Sequence, residues 1–64
     1  MPGLKNARMR ALFTQEELAQ RATVDRNTVA RLETGDRAAL STVRKLAVAL
    51  GVEPDALMGP AAKD

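Results

Sequence analysis

The chain has 64 residues, enough for one small domain that buries only a modest share of its surface. It contains neither cysteine nor histidine, which excludes disulfides, thiolate metal sites and the usual general base, and Phe13 is its single aromatic residue. The formal charge of +2 is unevenly spread: residues 1–45 hold nine basic and five acidic side chains, and residues 46–64 hold one basic and three acidic.

Leu4 to Ala11 reads as a first helix, with Leu4, Ala7 and Ala11 on one stripe. Leu12 and Phe13 lead into Thr14, an N-cap residue type. Glu17, three residues on, completes a capping box and predicts a second helix over about residues 15–21. Leu18, Ala19, Ala22 and Val24 follow at helix-and-turn spacing. Asp25 is a second N-cap candidate and opens a third helix over about residues 26–33, with Val29 and Leu32 inward and Gly35 as its stop. Two short helices joined this tightly are a helix-turn-helix. After a loop over 34–40, Ser41 to Leu50 reads as a fourth helix, because Val43, Leu46, Ala47 and Leu50 fall on one stripe. Gly51 ends it and Val52 packs back. Pro54 suits the first position of a short fifth helix, with Leu57 and Met58 facing inward. Residues 59–64 (GPAAKD) read as a short flexible tail behind a domain of residues 1–58. Ala and Leu dominate the apolar set and favour helix. The expected fold is therefore all-α, five helices around a core of Phe13, Leu18, Val29, Leu32, Val43, Leu46 and Leu50.

The third helix offers Arg26, Asn27, Ala30 and Arg31 to the outside. Arginine pairs with O6 and N7 of guanine and asparagine with N6 and N7 of adenine, so this set suits the edges of DNA bases. Arg31 lies four residues after Asn27 and shares its face. The competing reading of Arg31 is an ion pair with Asp36 or Glu33. Thr28 donates to a phosphate, touches a thymine methyl, or bonds its own backbone. Gln15 starts the second helix, where free N–H groups and the helix dipole favour a phosphate.

These residues carry a resemblance to the phage repressor and Cro-like helix-turn-helix domains, the XRE family. It runs from about Leu4 to Met58. The matching pieces are Arg8-x-x-x-x-Phe13-Thr14-Gln15, Glu17-Leu18-Ala19, Val24-Asp25-x-x-Thr28-Val29, Leu32-Glu33-x-Gly35, Leu46-Ala47-x-Ala49-Leu50-Gly51-Val52 and Leu57. The resemblance implies a five-helix repressor-like bundle and sequence-specific binding of double-stranded DNA, usually by a homodimer. By the same resemblance Arg26, Asn27 and Arg31 contact bases. Gln15 and Arg37 contact phosphates, and Gln15 also braces the reading helix. Arg8 and Glu33 form a structural ion pair between the first and third helices. Val48, Ala49, Leu57 and Met58 are the candidate dimer contacts. Three positions depart from the pattern. Leu12 and Thr23 stand where glycine is usual. A left-handed backbone costs threonine roughly 1 kcal/mol or more, so the turn at Thr23 is expected to be slightly altered. Asp25 puts a negative charge at the start of the reading helix, where it is expected to act as a cap.

The leading expectation is a transcriptional regulator working as a dimer on a two-fold operator. The alternative is a protein-interaction module of the same fold, such as an antitoxin or a coactivator, with a protein partner. No catalytic residue, cofactor or metal site is expected, because the carboxylates are scattered and no nucleophile–base set exists. No apolar run reaches membrane-spanning length and the first ten residues lack the apolar core of a signal peptide, so a cytoplasmic location is expected.

Overall fold

Five helices run through residues 1–58, the part of the chain that the computed structural model describes: α1 (Leu4–Arg10), α2 (Gln15–Ala22), α3 (Arg26–Glu33), α4 (Leu40–Leu50) and α5 (Pro54–Met58). No strand occurs among the described residues. The tail expected over residues 59–64 lies outside them.

Local chemistry accounts for the start of α2. The Thr14 hydroxyl accepts from the Glu17 N–H at 3.0 Å, and the Glu17 carboxylate accepts from the Thr14 N–H at 2.8 Å. Two orphan donors of the first turn are thereby satisfied. The start of α3 is different. Asp25 takes the N-cap position with extended backbone, yet its side chain makes no capping hydrogen bond. Its expected capping role is thus confined to backbone geometry. α4 begins one residue earlier than its stripe suggests, at Leu40, after an uncapped Ala39.

Four helix ends share one device. In each, a residue of positive φ just past the helix donates to the carbonyl three residues back, and the next residue donates five back. Leu12 bonds Met9 and Phe13 bonds Arg8; Thr23 bonds Gln20 and Val24 bonds Ala19. Gly35 bonds Leu32 and Asp36 bonds Arg31; Gly51 bonds Val48 and Val52 bonds Ala47. Glycine fits such a position without cost, but Leu12 (φ 63°) and Thr23 (φ 60°) adopt it too. The turn at Thr23 is therefore not remodelled. The turn keeps the left-handed backbone, and the packing of Val24 against the core offsets the strain.

The core brings Leu4, Leu18, Ala19, Ala22, Val29, Leu32, Val43, Leu46, Ala47 and Leu57 together. Leu4, Leu18, Val29, Leu46 and Leu57 lose all contact with solvent, each contributing roughly 1.5–3 kcal/mol of burial free energy. Phe13 and Leu50, expected at the centre, are half-buried and pack against its rim. The Phe13 ring has the Arg21 guanidinium 4.6 Å from its centroid, a cation–π contact. Two readings of α5 need correction. Met58 is 45% exposed rather than inward, and Leu57 is completely buried, which removes it from the candidate dimer contacts. A five-residue helix shows one side to the core, and Leu57 occupies it. Val48, in contrast, is 81% exposed.

Candidate nucleic-acid interface

The helix-turn-helix presents α3 as a rod held on one side. Val29 and Leu32 are buried beneath it, while Arg26, Asn27 and Arg31 are exposed and Ala30 is half-buried between them. Helical spacing places Asn27 and Arg31 on one face, a turn apart. Thus the three candidate base-reading residues come together on a face whose far side cannot rotate away.

The candidate phosphate contacts are more dispersed. Gln15 begins α2, where the capping box satisfies the N–H of Glu17 and leaves those of Gln15 and Glu16 without an intrahelical partner. The Gln15 side chain is half-buried and donates through Nε2 to Glu33 at 3.0 Å. An amide nitrogen carries two hydrogens, so a second remains for an anion at that helix start. Thr28 is half-buried and lines a small groove of about 160 Å³ with Arg31, Asp36, Arg37 and Thr42. Arg37 is exposed in the loop beyond α3.

Behind this face, Arg8 and Glu33 meet. Arg8 reaches across from α1 to donate through Nε and Nη2 to the two Glu33 oxygens, and through Nη1 to the Phe13 carbonyl at 2.9 Å. With Gln15 added, one carboxylate ties α1, α2 and α3 together. Only 13% of the Arg8 side chain and 4% of the Glu33 side chain are exposed. Burial raises the carboxyl pKa of Glu33, but the hydrogen bonds from Arg8 and Gln15 and the charges of Arg8 and Lys5 outweigh it, leaving the pKa below its ordinary value.

Sequence reasoning gave Arg31 two readings, and the structure realises the pairing with Asp36: Arg31 Nε donates to Asp36 Oδ2 at 2.9 Å. Both side chains are exposed, at 72% and 52%. An ion pair this wet contributes at most about 1 kcal/mol and leaves the arginine able to move. Asp36 lies in the loop just past α3. Its place beside the reading face follows from the Gly35 turn.

Across α3 and its flanks, the exposed charges nearly balance, with Arg26, Arg31 and Arg37 set against Asp25 and Asp36. The face is one of specific hydrogen-bonding groups rather than a uniform positive field. No helix among the described residues is long and apolar enough to cross a membrane.

Comparison with known families agrees with this geometry. A family model described as helix-turn-helix matches residues 4–57, nearly the whole described chain. The chain belongs to that family, the phage repressor and Cro-like (XRE) helix-turn-helix domains, and is a DNA-binding regulator of that kind. No curated protein matches it.

Proposed function

We propose that this helix-turn-helix chain is a sequence-specific transcriptional regulator that reads double-stranded DNA as a dimer on a two-fold operator. The observation that carries the reading is the α3 face: Arg26, Asn27 and Arg31 are exposed together above buried Val29 and Leu32. Arg31 and Asn27 supply the donors and acceptors that match guanine and adenine edges in the major groove. Arg26, at the helix start, either joins them or reaches a flanking phosphate. Gln15, Thr28 and Arg37 set the register by phosphate contact, which positions the protein without reading sequence.

The dimer follows from size. One short reading helix covers only a few base pairs, whereas two copies related by a two-fold axis read half-sites about 34–36 Å apart. The exposed Val48 and the half-buried Ala49 on α4, with the exposed Met58 on α5, remain the candidate contacts between copies.

Selection of bound sequences from random duplex DNA tests this directly. The expected result is a two-fold symmetric site, lost on Asn27→Ala or Arg31→Ala at one base position per half-site, with specific affinity falling by about 1–3 kcal/mol. Gln15→Ala should weaken binding to all sequences alike. No enrichment, with both α3 variants indistinguishable from the native chain, would favour a protein-docking module instead.

A further inference from the structure

We propose that Asp36 is a positioning residue for Arg31, holding the guanidinium so that its terminal amines read a guanine. The inference rests on α3 being the reading helix and adds a residue and a base identity to it.

The two residues are linked once through the backbone and once through their side chains. The Asp36 N–H donates to the Arg31 carbonyl at 3.0 Å, and the Arg31 Nε donates back to Asp36 Oδ2 at 2.9 Å. The same carbonyl accepts from the Thr34 N–H at 3.1 Å and the Thr34 hydroxyl at 2.8 Å, so the base of the loop is fixed from three directions. Gly35 makes the turn possible at φ 117°, a backbone that other residues rarely adopt. Asp36 is therefore not a side chain that happens to swing near an arginine. Its backbone is hydrogen-bonded to the residue whose side chain it meets.

The chemistry of the contact matters as much as its place. The pair engages Nε and a single carboxylate oxygen. A guanidinium is planar and holds five N–H donors in a fixed fork. Anchoring it at Nε sets the plane of the two terminal amines without occupying them, and those amines are what O6 and N7 of guanine accept from. A bidentate pair through the terminal amines would have sequestered the arginine; this one leaves its reading edge open. In water the anchor is weak, because both groups are solvated. Against DNA, water is displaced and the same contact strengthens as the local dielectric falls. A long arginine chain also loses less rotamer freedom on binding if it is already oriented. The cost is a carboxylate near the phosphates, which weakens binding to every sequence. Asp36 thus exchanges general affinity for discrimination.

The test measures binding of the native chain, Arg31→Ala, Asp36→Ala, Asp36→Asn and the double alanine variant. Each is titrated at one salt concentration against the selected duplex, single base-pair variants of it, and a random duplex. The native chain should prefer G·C at one position per half-site, and Arg31→Ala should abolish that preference. Asp36→Ala should lower the same preference about fivefold or more while binding random duplex more tightly. Asp36→Asn, which keeps an acceptor oxygen, should restore part of it, and the double variant should match Arg31→Ala at that position. Partial unfolding would scale all duplexes equally, so the ratio isolates positioning from stability. If Arg31→Ala abolishes the preference but Asp36→Ala leaves it unchanged or sharpens it, Asp36 only competes for Arg31 and the inference is overturned. If Arg31→Ala alters no base preference, the α3 reading itself has failed.

Discussion

The C-terminal half of α3 carries two arginine–carboxylate contacts with opposite characters. Glu33 meets Arg8 almost out of solvent, through two hydrogen bonds, with Gln15 as a third donor. Arg31 meets Asp36 in water, through one. The same chemistry, two residues apart, locks the helix to the domain in one case and leaves a side chain free to engage a ligand in the other. Environment rather than residue type decides which. A desolvated pair cannot lose one partner without stranding the other's charge, whereas an exposed one returns both to water.

The largest break in this comparison should come from Glu33→Ala or Arg8→Ala, each expected to cost about 3 kcal/mol in urea-unfolding free energy. The double variant should cost less than the two singles combined, because the second removal relieves a group already stranded. Additive losses would show that the pair is not structural.

Gly35→Ala comes next. Nothing lies within 4 Å of where its Cβ would stand, so only backbone strain at φ 117° opposes the change. A loss of about 1–2 kcal/mol is expected, together with a weaker Arg31–Asp36 contact, since Asp36 is placed by that turn. Thr23→Gly acts in the other direction. It relieves a left-handed threonine on the surface and should raise stability by about 1 kcal/mol, leaving both ion pairs untouched.

Arg31→Ala and Asp36→Ala should shift stability least, within about 0.5 kcal/mol, even where they change DNA preference. Acid weakens the buried pair. The folded pKa of Glu33 lies below its unfolded value, so its contribution is complete above about pH 4–5 and fades as pH falls through the folded pKa. Glu33→Gln should flatten that acid limb in a pH series of unfolding midpoints.

Much of this was legible along the chain because its signals are local. The capping box at Thr14 and Glu17 involves residues three apart, and the α4 stripe repeats within three turns. The positions of Val29 and Leu32 also determine which residues of α3 face outward. The inward side of α5 was not legible in this way, because a helix of five residues carries too few positions to define a face. The inward reading of both Leu57 and Met58 holds for Leu57 alone, which is therefore not available as a contact between copies. Phe13, expected in the core, packs at its rim, where Arg8 binds its carbonyl and Arg21 lies over its ring.

The sequence by itself determined the five helices, the helix-turn-helix and the outward set Arg26, Asn27 and Arg31, because periodicity and capping act between residues a few positions apart. The tertiary structure decided how those elements close on one another. A Cβ on Gly3 would lie 2.0 Å from the Ala56 carbonyl oxygen, since the Gly3 N–H bonds Leu57 across the α1–α5 contact at 2.9 Å. No local pattern around Gly3 announces that approach. Likewise, whether Gln15 braces Glu33, 18 residues further on, depended on where α2 and α3 came to rest against each other. Close packing between distant segments selects those partners, and it cannot be read from spacing along one helix.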